Sequence, residues 1–112
     1  KDDFLRAMNG LDGLLVPTTA ISAPRLEDTS IDINGKNTEV YIALSRLTTV
    51  FAITGLPSLN VPAGLVDGLP IGVQLVGREF DEALLLSLAN EYERYSKISE
   101  AMIAPCLSDR NV

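Results

Sequence analysis

Apolar residues recur at helical spacing in three segments of the chain, residues 2–10, 38–54 and 81–95. Glycine at or just after the end of the first two segments favours a helix C-terminus there. Asp81 stands at the start of the third segment, where an N-cap residue is expected. The pattern therefore predicts three helices, of which the second is mostly buried and the third is amphipathic.

Extended structure is predicted between these helices. A short apolar run over residues 14–16 stops at Pro17 and is typical of a buried strand. Alternation returns on both sides of Asn34-Gly35, a dipeptide that favours a two-residue hairpin turn. Residues 18–29 have no periodicity, so they are predicted to form a loop.

A longer hairpin is predicted from residues 59–65 and 71–76, where apolar residues alternate with small or polar ones. Its connection contains Asp67-Gly68, which supports antiparallel pairing. Pro62 has no N–H to donate to a strand ladder, so it must lie at an edge, at a bulge or at the end of the strand. The remainder of the chain after residue 95, through Pro105 to Val112, is interpreted as a tail.

Composition limits the function classes. The 112 residues are 46% hydrophobic, enough for one modest core, so residues 1–112 are expected to form a single unit. The net charge of −6 and the scattered lysines argue against direct nucleic-acid binding. No apolar stretch reaches the roughly 20 residues of a membrane span. Cys106, the single cysteine, fits a reducing cytoplasm. The absent initiator methionine indicates a processed product or an excised piece.

Most catalytic motifs are missing from the sequence. The chain has no histidine, which excludes Ser-His-Asp and Cys-His arrangements and histidine-based zinc sites, and we expect no metal and no cofactor. Carboxylate pairs occur at Glu27-Asp28 and Asp81-Glu82. The first pair is interpreted as part of a polar loop and the second as the start of a helix. Cys106 has no neighbour that would lower its thiol pKa, so it is interpreted as structural.

Three polar residues stand out on the predicted strands. Gln74 is the one amide in an apolar strand, and a buried amide must find hydrogen-bond partners, so a structural hydrogen bond is favoured over a cavity-lining role. Thr18 and Thr19 follow a strand end, where ligands gather in open α/β sheets. Capping the next turn is the equally favoured alternative for these two threonines.

The segment from Thr54 to Glu93, TGLPSLNVPAGLVDGLPIGVQLVGREFDEALLLSLANEYE, resembles the C-terminal block of the amidase-signature family. LLVPTTAISAP and SIDINGKNTEVYIALSRLTTVF resemble the strand, loop, hairpin and helix that precede that block, so the resemblance covers roughly residues 12–95. It implies an α/β fold, the C-terminal portion of an α/β/α sandwich with a mixed β-sheet. It also implies amide hydrolysis by a Ser, a second Ser in a cis peptide and a Lys.

Those catalytic residues belong to an upstream Gly-Ser-rich signature that this sequence lacks, so no catalytic residue can be assigned here and the chain alone is expected to be inactive. The resemblance implies that the chain contributes scaffold and part of the substrate-pocket wall. The implied partners are the remainder of the amidase domain and a small-molecule amide. Because the apolar strands and helix stripe exceed what 112 residues can cover, we also expect self-association, and with it a homo-oligomer, when the chain is made alone.

One position separates the subfamilies. In the A subunit of tRNA-dependent amidotransferases, an Asp that binds the glutamine donor stands where this chain has Ser45, the candidate substrate-binding residue. A hydroxyl cannot supply the charge that pairs with an α-ammonium. The Phe-Asn common in relatives is Phe51-Ala52 here. Both changes favour a general amidase. The alternatives are a non-catalytic binding module and the amidotransferase subunit.

Overall fold

A computed structural model of the chain describes residues 1–98, and Cys106 and most of the interpreted tail lie outside that range. The described part contains three helices and five strands, in the order α1 Asp2–Ala7, β1 Leu14–Pro17, β2 Ser30–Ile33, β3 Lys36–Glu39, α2 Val40–Thr54, β4 Ser58–Val66, β5 Leu69–Val76 and α3 Glu82–Ser96. All the predicted elements are present, with ends that differ from the predictions by two or three residues at most.

The longer hairpin, β4 and β5, forms most of a three-stranded sheet in the order β1-β5-β4. Asp67 and Gly68 have φ angles of 51° and 78°, so both turn residues are left-handed, as a type I′ turn requires. The turn places Val66 opposite Leu69, and the ladder runs back to Ser58 opposite Val76. The predicted antiparallel hairpin is confirmed.

Pro62 lies at an irregularity in β4. It pairs with Gly72, but the next ladder pair is Gly64 with Ile71, so one extra residue is inserted in β4. β4 is also an edge strand among the residues described. Pro62 therefore occupies a position that needs no ladder donor, as predicted.

The smaller hairpin, β2 and β3, also matches its prediction. Asn34 and Gly35 have φ angles of 55° and 79°, and the Gly35 amide donates to Asp32 Oδ1 at 2.9 Å. The prediction that the following helix begins at residue 38 was wrong by two residues. Thr38 and Glu39 instead complete the ladder with β2, and this long-range pairing outweighs their local helical pattern.

Helices cover both faces of the three-stranded sheet. On one face Val76 of β5 packs with Met8, after α1, and with Phe51 and Leu56, at and beyond the end of α2. The Phe51 ring lies 5.3 Å from the Phe4 ring, centroid to centroid, and is tilted by 58°. These buried residues form the core. The α/β class is confirmed, while the mixed sheet of a larger sandwich stays a prediction because the strand pairs within residues 1–98 are antiparallel.

The opposite face of the sheet lies against α3. Leu85 and Ala89 of α3 are buried, and the Tyr92 hydroxyl donates to the Pro62 carbonyl oxygen at 3.0 Å. Asp81 is the N-cap residue of α3, as predicted, although its side chain makes no capping hydrogen bond. None of the helices in the described part of the chain combines the length and apolar character needed to cross a bilayer.

Large apolar side chains remain exposed on the sheet and on α3. Leu15 of β1 is 59% exposed, Leu65 at the end of β4 is 53% exposed, and Leu86 on the outer side of α3 is 61% exposed. Exposed apolar surface was predicted from the sequence. Burying it would require additional protein, from another chain or from further sequence of the same protein.

Candidate functional site

A cleft opens on the α2 side of the sheet, beyond the end of β1. Its volume is about 250 Å³, close to the lower limit of small-molecule pockets. Its walls come from the loop after β1, from α2 and from the β4–β5 hairpin, and all of its lining residues are uncharged: Thr18, Thr19, Ile21, Ala23, Leu44, Asn60, Pro70, Ile71 and Gly72. Thr18 and Thr19 line this cleft, which is one of the two equally favoured placements considered from the sequence.

Three of these residues form a polar group in one wall. The Thr18 backbone N–H donates to the Gly72 carbonyl oxygen at 3.1 Å, which extends the β1–β5 ladder by one residue. The Thr18 hydroxyl donates to Asn60 Oδ1. A β-carbon on Gly72 would lie 2.5 Å from that same oxygen, so the Asn60 side chain occupies space that only glycine leaves free.

Thr19 shapes the loop wall of the cleft. Its hydroxyl donates to the Ile21 carbonyl oxygen at 2.7 Å, a local bond typical of Ser/Thr turns. The turn brings Ile21 to the cleft as an apolar lining residue. Thr19 thus lines the cleft and also stabilises the turn, so both roles considered from the sequence apply to it.

Gln74 of β5 connects the β1 side of the cleft to the α2 side through hydrogen bonds. The residue is only 2% exposed, and its side-chain Nε2 donates to the Pro17 carbonyl oxygen at 3.2 Å and to the Leu47 carbonyl oxygen at 3.1 Å. The first bond fixes the end of β1 and the second fixes α2. The structural hydrogen bond predicted for Gln74 is therefore present, and it sets the separation of the elements that carry Thr18 and Leu44.

Ser45 lies on α2 next to the lining residue Leu44. Its hydroxyl donates to the Tyr41 carbonyl oxygen at 2.7 Å, within the same helix, and Ser45 is not among the residues that line the cleft. A substrate-binding role for Ser45 stays a prediction.

The two carboxylate pairs lie away from the cleft. Glu27 and Asp28 are exposed, and Asp28 Oδ2 accepts a hydrogen bond from the Arg25 N–H at 3.0 Å, as in a polar turn. Asp81 and Glu82 are at the start of α3 on the other face. Residues 1–98 contain no group of three or more acidic, histidine or cysteine side chains that could hold a metal ion.

Serine hydroxyls and lysines are not brought together in the described residues. The Lys1 ammonium is paired with Glu79, and no serine in residues 1–98 is hydrogen-bonded to a lysine. A nucleophile with an adjacent proton acceptor is therefore missing from the described part of the chain, whereas a cleft that could hold a small ligand is present.

Two members of the polar wall of the cleft, Asn60 and Gly72, were missed by the sequence interpretation. Asn60 and Gly72 were treated only as the polar or small members of alternating strands. A signal existed, because Asn60 is a poor strand former and Gly72 marks a close approach. The pairing register that places these two residues side by side could not be obtained from either strand alone.

Similar sequences and a similar fold occur in known proteins. The family model described as Amidase matches residues 1–86. The chain belongs to the amidase-signature family. Among curated relatives, the A subunit of glutamyl-tRNA(Gln) amidotransferase from Thioalkalivibrio sulfidiphilus is 42% identical over 93 residues, which cover 82% of this chain and 18% of the relative. An A subunit of the same type of enzyme from Clostridium acetobutylicum is 38% identical over 98 residues, 87% of this chain and 19% of the relative.

Parts of two solved structures superpose on this chain. A protein described as a crystal structure of amidase matches with a TM-score of 0.78 and 29% identity, over 82% of this chain and 21% of that one. A protein from a vestigial complex described as revealing the origins of an s-triazine catabolic enzyme matches with a TM-score of 0.69 and 32% identity, over 76% of this chain and 19% of that one. This amidase-signature chain thus spans about a fifth of the length of the relatives it matches.

Proposed function

We propose that this chain forms the C-terminal part of an amide-hydrolysing domain, in which it supplies scaffold and one wall of the substrate pocket. In this proposal residues 1–112 are a single unit, and the remainder of the domain is the partner that brings the catalytic serines and lysine. The substrate is a small-molecule carboxamide. The uncharged cleft beside Thr18 and Asn60 carries the proposal, because it is a ligand-sized space without a nucleophile of its own.

Hydrolysis through an acyl-serine intermediate needs an activated nucleophile and a surface that holds the acyl group in line with it. Ile21, Leu44 and Ile71 provide apolar walls that would exclude water from an alkyl or aryl substituent. Thr18 and Asn60 provide hydrogen-bonding groups that would fix the orientation of the substrate's carboxamide group. Binding and positioning are thus the contributions of this chain, and the proton transfers belong to the partner region.

A cytoplasmic location is part of the proposal. It is supported by the lone Cys106, which has no partner for an intrachain disulfide. Self-association of the isolated chain is proposed as well, because Leu15, Leu65 and Leu86 are exposed.

The second candidate is the A subunit of a tRNA-dependent amidotransferase. It is favoured by the curated relatives of that name, which are 38% and 42% identical to this chain over most of its length. Ser45 argues against it, because a serine has no negative charge to pair with the ammonium group of glutamine.

A chimera separates the two candidates. In the amidotransferase relative from Thioalkalivibrio sulfidiphilus, the 93 matched residues are replaced by those of this chain, and ammonia release is measured with isobutyramide and with glutamine. We expect the chimera to use isobutyramide better than glutamine, relative to the unmodified protein. Ser45→Asp in the chimera should raise glutamine turnover, and the matched control Ser45→Ala should leave it unchanged.

Each other outcome has a definite meaning. A folded chimera that uses glutamine as fast as the unmodified protein, with Ser45 in place, would overturn the general amidase and favour the amidotransferase. A folded chimera that is inactive on both amides would favour a non-catalytic module. Circular dichroism of each variant establishes that the chimera is folded.

A further inference from the structure

In strands β4 and β5 apolar residues alternate with small or polar ones, and Asn60 and Gly72 are two of these small or polar members. Asn60 is an exposed polar residue in the wall of an otherwise largely apolar cleft, and Gly72 lies beside it on the neighbouring strand. The space above Gly72 is filled by the Asn60 side chain, whose three terminal atoms all lie within 3.2 Å of where a β-carbon would be. Gly72, because it has no side chain, leaves the space that the Asn60 side chain occupies.

The hydrogen bond from Thr18 determines which atom of Asn60 is available to a ligand. Because Oδ1 accepts from the Thr18 hydroxyl, the amide group is oriented with its NH2 free. The bond to Thr18 is the hydrogen bond that the Asn60 side chain makes within residues 1–98, and it does not involve the NH2. The cleft wall therefore carries a neutral donor, the Asn60 NH2.

The two threonines of the cleft supply the complementary acceptors. The Thr18 proton is used on Asn60 and the Thr19 proton on the Ile21 carbonyl oxygen, so both hydroxyl oxygens keep lone pairs for a ligand N–H. One neutral donor and two neutral acceptors match a carboxamide, which has one carbonyl acceptor and two N–H donors.

We propose that Asn60 is a specificity-determining residue that donates its side-chain NH2 to the carbonyl oxygen of a neutral carboxamide bound in this cleft. The choice of a carboxamide rests on the proposed function. Because the lining residues carry no charge, an amino-acid amide such as glutamine would lose hydration of its ammonium and carboxylate groups without gaining an ionic partner from this wall. The cleft selects an apolar substituent instead.

Binding to the full 112-residue chain tests the proposal without turnover. Saturation-transfer difference NMR with isobutyramide as the probe reports weak ligands and tolerates self-association of the protein. We expect a dissociation constant on the order of millimolar for a ligand this small. Isobutyrate, which has the same shape but a charge and no N–H, and glutamine should each bind at least several-fold more weakly.

Variants assign the effect to Asn60. Asn60→Asp keeps the shape and the acceptor for Thr18 but replaces the NH2 donor with a charged oxygen, so isobutyramide binding should weaken by roughly three- to tenfold. Asn60→Leu removes the donor without adding a charge and should weaken binding to a similar extent. The matched control Asn90→Asp, on the exposed side of α3, should bind isobutyramide as the wild-type chain does.

Equal binding of isobutyramide by the wild-type chain and by both Asn60 variants would overturn the proposal, and so would isobutyrate binding as tightly as isobutyramide. Either result would leave the proposed function untouched. An inactive chimera, in contrast, would overturn the proposed function and would not alter the binding data.

Discussion

One face of the three-stranded sheet has two unlike ends. At the closed end Met8, Phe51, Leu56 and Val76 are at most 4% exposed and pack against one another. At the open end, defined by Thr18, Asn60 and Gly72, the side chains are small or polar and face a cleft. The difference indicates that the closed end supplies most of the stability, whereas the open end is available for binding because little packing depends on it.

The two ends also use glycine differently. A β-carbon on Gly13 would lie 2.8 Å from the Val76 carbonyl oxygen, a backbone atom that cannot move without the sheet. A β-carbon on Gly72 would meet the Asn60 side chain, which can rotate away. Close approach therefore fixes the backbone at the closed end and positions one functional group at the open end.

Among the variants that test the difference between the two ends, Phe51→Ala should lower stability the most. It removes a buried ring that packs on Phe4, and the cavity left behind should lower the free energy of unfolding by about 3–5 kcal/mol. Equilibrium urea unfolding measures the loss. Tyr41→Ala on the same helix is the matched control, since Tyr41 is 79% exposed, and it should change stability by no more than about 0.5 kcal/mol. Equal losses would show that the closed end is not the core.

The second-largest difference in stability is expected between alanine substitutions at Gly13 and at Gly72. Gly13→Ala should destabilise the chain by about 1–3 kcal/mol because the new methyl group meets the backbone. For Gly72→Ala the free energy of unfolding should stay within about 1 kcal/mol of the wild type. The contact with Asn60 is offset because alanine has less conformational entropy than glycine in the unfolded chain. Urea unfolding of the two variants compares them directly. A larger loss at Gly72 would contradict the proposed difference between the ends.

Gln74→Leu probes the connection between the ends. It leaves the Pro17 and Leu47 carbonyl oxygens without their side-chain donor, at a cost of about 1–3 kcal/mol. Asn60→Leu, an amide loss at the exposed position paired with Gln74, should cost less than about 0.5 kcal/mol. Thermal unfolding followed by circular dichroism ranks the two. If their order were reversed, Asn60 would be a structural residue.

Ser45→Ala should have the smallest effect, within about 0.5 kcal/mol of the wild type. The hydroxyl bonds back to its own helix, a bond that contributes little, and alanine is the better helix former. Urea unfolding checks this value. A loss above about 1 kcal/mol would make Ser45 a structural residue and remove the basis for its predicted binding role.

The sequence was sufficient where a local signal dictates geometry. Asp67-Gly68 and Asn34-Gly35 specify left-handed turn residues, so the two hairpins followed from the residues themselves. Pro62 cannot donate to a ladder, which limited it to an edge, a bulge or a strand end, and the structure has the bulge on an edge strand. The sequence was insufficient where the pairing register of two strands determines the position of a residue. Thr38 belongs to β3 and not to the helix because it pairs with β2, and Asn60 lies beside Gly72 because of the β4–β5 register. Both pairings depend on contacts between different segments of the chain.

Ammonia release by the purified 112-residue chain tests most directly the claim that this chain builds a pocket wall and no nucleophile. The chain is incubated with isobutyramide, and ammonia is measured against a protein-free sample. We expect no release above that background, because no serine in residues 1–98 is hydrogen-bonded to a lysine. Turnover that disappears when one serine of the chain is replaced by alanine would contradict the claim.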